Sequence, residues 1–113
     1  MKVSGFTFIK NAEMLGYPFI ESIQSVLPIV DEFIIAVGKS DDNTLEIIKS
    51  IKDDKIKIIE TQWNESMQDR GYVYAQQKMT AQFSCTGDWA FYLEGDEVLH
   101  EKDLDTIRNT MER

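Results

Sequence analysis

The chain has 113 residues, which is enough for one domain and too few for two. Hydrophobic residues at 42% and charged residues at 28% give an ordinary folded profile and exclude wholesale disorder. Twenty acidic residues against twelve basic ones leave a net charge of −8, which excludes a nonspecific nucleic-acid binder and argues against docking on anionic membranes.

The longest unbroken apolar run is Phe33 to Val37, far short of a membrane span. Met1-Lys2-Val3 leads straight into strand-like sequence rather than a secretory leader. The single cysteine, Cys85, has no internal partner and no basic neighbour, so an inert thiol in a reducing, cytoplasmic setting is expected.

Residues 3–10 read as a strand, with Phe6, Phe8, Thr7 and Ile9 favouring extended backbone. A loop runs from Asn11 to Gly16. Tyr17-Pro18 then opens a helix whose Phe19, Ile20, Ile23, Val26 and Leu27 form one apolar face, and Pro28 ends it. Phe33 to Val37 is apolar on both faces, as central parallel strands are. After a polar turn from Gly38 to Asn43, Asp41 or Asp42 caps a helix whose stripe is Leu45, Ile47, Ile48 and Ile51. Lys55 to Thr61 is a third strand. Met67 to Phe83 reads as a long helix with Met67, Tyr72, Ala75, Met79 and Phe83 on its core side. Trp89 to Leu93 is a fourth strand, and Glu101 to Met111 a last helix with Leu104, Ile107 and Met111 inward. The alternation predicts an α/β fold of three layers around a mostly parallel, Rossmann-like sheet of four strands. In such a sheet ligands bind beyond the carboxyl ends of the strands. That rule points to the loops after Lys10, Val37, Thr61 and Leu93.

Three of those loops carry chemistry. Tyr92-Leu93-Glu94-Gly95-Asp96-Glu97 ends an apolar strand in carboxylates two residues apart, with a glycine between them. Carboxylates at a strand end suit Mg²⁺ or Mn²⁺, hard cations that take protein carboxylates together with substrate phosphates. The same acidic turn also suits the amino terminus of the last helix. In Gly38-Lys39-Ser40-Asp41-Asp42-Asn43-Thr44, backbone N–H groups and a helix start are placed to face an anion, although the spacing is not that of a Walker loop. A plain turn with an aspartate cap explains that segment equally. Arg70 sits near a helix start, where a cation serves a phosphate or pairs with Asp69 or Glu65.

Four blocks taken in order carry a resemblance: Asn11-Ala12-Glu13, Ser40-Asp41-Asp42-Asn43-Thr44, Asp69-Arg70-Gly71, and Gly87-Asp88-Trp89 followed by Glu94-Gly95-Asp96-Glu97. Together they resemble the amino-terminal part of the family 2 glycosyltransferases. Those enzymes show an Asn-Glu pair, a Ser-Thr-Asp-Gly-Thr turn, an Ala-Arg-Asn helix start, and a Gly-Asp-aromatic strand leading to Asp-x-Asp. The resemblance covers nearly the whole chain, and it implies half of a GT-A fold.

It also implies roles. Asp96 binds the divalent metal that bridges the nucleotide diphosphate, and Glu94 lies at the ribose or the metal. Phe8 and its neighbours line the base pocket, and Arg70 approaches the base or the phosphates. Asn11, Glu13, Gly38, Lys39 and Ser40 complete the donor-binding set. Two departures stand out: Val37 and Gly38 occupy the places of the family's base-reading aspartate, and Glu94 is a longer arm than the first aspartate of the pair.

The expectation is a single donor-binding domain over residues 1–113, truncated relative to a full glycosyltransferase. It would bind a nucleotide-diphosphate sugar through a divalent metal. The acceptor half that would supply the catalytic base follows the metal motif in the family, so no base is named here. The alternative is a small α/β nucleotide-binding or interaction module without catalysis. A phosphorelay receiver is excluded, because Ile9-Lys10-Asn11 and Thr61-Gln62-Trp63 lack its aspartates. The fourth strand is expected at a sheet edge, where its apolar sequence invites homo-oligomer formation.

Overall fold

Phe33 to Val37 lie at the heart of an inner strand, as their two-faced apolarity requires. In the computed structural model, which describes residues 2–12, 16, 18–62, 70–94, 99 and 101–112, the strands are β1 (Val3–Ile9), β2 (Glu32–Gly38), β3 (Ile56–Thr61) and β4 (Trp89–Tyr92). They form one sheet in the order β3-β2-β1-β4, with every pairing parallel. Strands are added outward on one side of β1 and then, at β4, on the other. The crevice at this reversal, between the carboxyl ends of β1 and β4, is the place where such sheets take ligands. The four-stranded parallel α/β sheet expected from the sequence is therefore the fold observed.

The helices are α1 (Phe19–Val26), α2 (Thr44–Lys49), α3 (Arg70–Phe83) and α4 (Glu101–Glu112), with a 3₁₀ turn over Leu27–Ile29. Residues of α1, α2 and α4 pack with Val3, Ile9, Phe33, Ile35, Val37 and Leu93 on one face of the sheet. Ala81 of α3 packs with Phe6, Ile34 and Ala36 on the other. Alternate side chains of β1 and β2 thus feed opposite layers, as the two-residue period dictates. The main core rests on fully buried Ile23, Val26, Phe33, Ile35 and Ile48, each worth roughly 1.5–3 kcal/mol on burial.

Local signals hold with three adjustments. Pro28 does not end the chain's helical path after α1 but sits inside the 3₁₀ turn, whose first positions need no N–H donor. The N-cap of α2 is Asn43, not Asp41 or Asp42; Asp42 instead accepts the Thr44 N–H at 3.0 Å, so its carboxylate serves the helix start from one residue further out.

The third adjustment concerns α3. Among its described side chains, Gln77 and Ala81 are buried, whereas Ala75, Met79 and Phe83 face outward; Phe83 is 79% exposed. The expected core side is therefore the outer side. Met67 and the side chain of Tyr72 lie outside the described residues. The physical reason lies in the sheet beneath, whose face toward α3 carries Ser4, Glu32, Lys57 and Thr61 beside its small apolar cluster. A polar helix face answers it: Gln77 Oε1 accepts the Thr61 hydroxyl at 2.5 Å, and Lys78 Nζ lies 4.2 Å from the centre of the Tyr92 ring.

The amino ends of the strands are tied by one buried carboxylate. Glu32, 2% exposed, accepts from Ser4 Oγ at 2.5 Å, from Lys57 Nζ at 2.9 Å, and from both the N–H and the hydroxyl of Thr86 at 2.7 and 2.9 Å. Burial pushes its carboxyl up, but the bonds from Ser4, Lys57 and Thr86 together outweigh burial and bring it from 4.5 down to about 2. Ser4 Oγ in turn accepts the Gly87 N–H at 2.8 Å. A Cβ on Gly87 would stand 2.7 Å from the Lys2 carbonyl and 2.7 Å from Ser4 Oγ, so only glycine fits. Asp88 accepts the Lys2 N–H at 2.8 Å. The Gly87-Asp88-Trp89 block is thus the clasp that docks β4 onto β1.

Candidate functional site

At the opposite end of the sheet lie the carboxyl ends of the four strands. β1 ends at Ile9, and Asn11 follows with φ 54°, a left-handed conformation that asparagine tolerates better than most residues. That turn aims Asn11 at the loop after β2. Its Oδ1 accepts the Asp41 N–H at 2.8 Å, and its own N–H donates to Ser40 Oγ at 3.0 Å. Ser40 Oγ donates to the Gly38 carbonyl at 2.9 Å. The loops after β1 and β2 are therefore stitched into one surface.

The same bonds occupy part of the expected anion cradle. The Lys39 N–H donates to the Thr61 carbonyl at 2.9 Å, the Asp41 N–H to Asn11, and the Thr44 N–H to Asp42. Those three donors are engaged within the protein.

A cleft of about 460 Å³ opens beside this surface. It is lined by Val37, Gly38, Lys39, Ser40, Asp42, Leu45 and Glu46 on one side and by Glu60, Thr61 and Gln62 on the other. The register Val37↔Glu60 and Gly38↔Thr61 explains the pairing of these walls. Three carboxylates and one lysine line it, so its field is acidic.

Phe8, next to last in β1, is half-buried and stacks on Tyr92 with ring centres 6.3 Å apart and planes 13° from parallel. Phe6 meets the same ring at 5.3 Å. The aromatic group therefore lies on the α3 side of the sheet, near the carboxyl ends of β1 and β4.

Glu94 follows β4 and is exposed. Backbone bonding to β1 runs up to the residue before it, where the Leu93 N–H donates to the Phe6 carbonyl at 3.2 Å. It stands at the β1–β4 crevice, beyond the carboxyl end of its strand. Glu13, Asp96 and Glu97 lie outside the described residues, as does the side chain of Arg70, the first residue of α3. Among the described residues no group of three His, Cys, Asp or Glu gathers into a metal site. Glu94 is a hard oxygen donor of the kind Mg²⁺ and Mn²⁺ take.

Sequence reasoning passed over several residues that shape this end. Ser22 and Ser25 of α1 reach the segment after β4: Ser22 Oγ donates to the Glu94 carbonyl at 3.1 Å, and the Leu99 N–H donates to Ser25 Oγ at 3.0 Å. Their spacing on the inner side of a short helix is the only local signal they give. Cys85 behaves as expected for an inert thiol, since burial and the nearby Glu32 carboxylate both push it up.

No helix among the described residues is long and apolar enough to cross a membrane.

Comparison with known proteins fits this geometry. The chain is 33% identical over 106 residues to an uncharacterized glycosyltransferase of Rickettsia typhi, and 32% identical over 106 residues to one of Rickettsia felis. Each match covers 94% of this chain and 32% of the relative, so the chain spans about a third of their length. S. aureus TarS 1–349, solved in complex with UDP, superposes with a TM-score of 0.75 at 18% identity, covering 99% of this chain and 32% of that one. Another crystal structure of TarS 1–349 gives a TM-score of 0.70. These likenesses bear on the fold, and they agree with half of a GT-A architecture. The glycosyl transferase family 2 model matches residues 11–113, which take in every loop at the carboxyl end of the sheet, and the chain belongs to that family.

Proposed function

We propose that the chain is the donor-binding half of a glycosyltransferase. It holds a nucleotide-diphosphate sugar at the carboxyl ends of β1, β2 and β4 for transfer of the sugar to an acceptor. The observation that carries this reading is the family match over residues 11–113, together with Glu94 standing at the strand-reversal crevice. The UDP bound to the structurally similar TarS supports a nucleoside diphosphate as the ligand class.

In this reading Glu94 and Asp96 hold a divalent cation, Mn²⁺ or Mg²⁺, which supplies charge neutralisation to the leaving diphosphate. The acidic lining of the β2–β3 cleft supports a cation requirement, since a bare diphosphate near Asp42, Glu46 and Glu60 would be repelled. Phe8, Asn11, Glu13, Gly38, Lys39, Ser40 and Arg70 form the remaining donor surface. Val37 and Gly38, the last two residues of β2, hold the places of the family's base-reading aspartate, so those positions offer the base no carboxylate. A lone, inert thiol supports a cytoplasmic setting.

Titrating the chain with UDP by calorimetry, with and without Mn²⁺, tests the proposal. Mn²⁺ is expected to strengthen binding at least tenfold, and Asp96→Asn to abolish that gain. Equal affinity with and without Mn²⁺, or an Asp96→Asn variant that binds like the parent, overturns the metal reading.

A further inference from the structure

Two residues that follow β4, Glu94 and Leu99, are bonded to one turn of α1. Ser22 Oγ donates to the Glu94 carbonyl at 3.1 Å, and the Leu99 N–H donates to Ser25 Oγ at 3.0 Å. Ser25 Oγ donates its own hydrogen to the Ser22 carbonyl at 2.7 Å, which leaves its lone pair aimed at Leu99. Ser22 is 2% exposed, so it is enclosed between the helix and the sheet. Alanine is the better helix former at both positions, and serine hydroxyls in a helix compete with its own backbone. Helical stability therefore does not explain these two residues, whereas the contacts to Glu94 and Leu99 do.

We propose that Ser22 and Ser25 are positioning residues for the donor site. They fix Glu94 and Leu99, which follow β4, against the layer of α1. In this way they set how tightly a nucleoside diphosphate with its divalent cation is held. The proposal rests on the donor-site reading above, and it adds that α1, which carries no carboxylate toward the ligand in that reading, controls the affinity. Neither serine touches the ligand.

The test compares Ser22→Ala, Ser25→Ala, the double variant and Ser25→Thr in the same UDP titration, with and without Mn²⁺, alongside hydrogen exchange at the Leu99 amide. Each lost hydrogen bond is expected to weaken binding of UDP with Mn²⁺ by about fivefold and the double variant by more than tenfold. Binding of UDP without the metal stays within twofold. Ser25→Thr keeps a hydroxyl acceptor and restores both affinity and Leu99 protection. A parent chain that responds to Mn²⁺ while the double variant binds within twofold of it overturns the positioning role. A parent chain with no Mn²⁺ response defeats the metal reading on which the proposal rests, and one that binds no UDP defeats the donor-site reading itself. The anchoring is then judged by exchange alone: faster Leu99 exchange in Ser25→Ala upholds it, and unchanged exchange overturns it.

Discussion

The two ends of the sheet use polar residues in opposite ways. At the amino ends, Glu32, Ser4, Lys57, Thr86 and Gly87 are bonded to one another, and Glu32 is sealed from solvent. At the carboxyl ends, Asn11 and Ser40 join two loops, yet Lys39, Glu46 and Glu60 stand exposed around a cleft, and Glu94 stands exposed after β4. A buried charge is tolerable only when hydrogen bonds replace its water, so the first cluster is committed to the fold. Exposed charges at strand ends keep their capacity for a ligand. The family resemblance in the sequence mixes the two kinds: Gly87-Asp88-Trp89 belongs to the first, Ser40-Asp41 and Glu94 to the second.

The amino-end cluster predicts the largest effects on stability. Glu32→Gln keeps the shape but removes the charge that Lys57 and Thr86 stabilise, and it should cost about 3 kcal/mol at pH 7. The sign of its pH dependence follows from the lowered carboxyl, about 2 in the fold against an ordinary 4.5. The carboxylate's contribution is fully present above 4.5 and fades as pH falls through about 2. Urea unfolding at pH 7 and pH 3 should therefore show the gap between parent and variant narrowing in acid. An unchanged gap would mean that Glu32 acts through packing alone. Gly87→Ala comes next, at about 2–3 kcal/mol, because its Cβ would meet backbone as well as Ser4 Oγ. For both variants the folded fraction should bind UDP as the parent does, which keeps the two ends separate.

What the sequence foretold follows the same division. β2 was legible because burial on both faces writes itself into five successive apolar residues. The carboxyl-end loops were legible because topology alone names them. Glu32 was not, since a carboxylate before an apolar run reads as a surface residue, and its partners lie 25, 28 and 54 residues away. The inner side of α3 was misread because periodicity assumes an apolar sheet face, and this face is partly polar. Ser22 and Ser25 resemble any serines in an amphipathic helix until the segment after β4 is brought beside them.

A smaller effect sharpens the contrast at the carboxyl end. Asn11→Ala loses the bond to the Asp41 N–H and must also hold φ 54°, for a cost of about 2 kcal/mol. Asn11→Gly loses only the bond and should cost about 1 kcal/mol. Both should weaken UDP binding several-fold, since they loosen the join between the β1 and β2 loops. If Asn11→Gly left UDP affinity untouched while lowering stability, this end would be as purely structural as the other.

The smallest expected change in stability lies where the surface is apolar. Phe83 is 79% exposed and Met79 48% on the outer side of α3, and Trp89 is 47% exposed on β4. β4 pairs with β1 on one side and forms a sheet edge on the other, and apolar edge strands invite pairing. The two exposures lie on different layers, because Phe83 is on α3 while the neighbours of Trp89 on its side of β4, Phe91 and Leu93, pack with α1 and α4. Lysine at either position removes little that is buried, so Phe83→Lys and Trp89→Lys should each shift stability by no more than about 0.5 kcal/mol. Their effects on association should differ. If the fourth strand carries self-association, light scattering of the parent at high concentration shows species larger than a monomer, Trp89→Lys returns it to monomer, and Phe83→Lys does not. The reverse pattern would move the contact to α3, and a monomeric parent would remove it altogether.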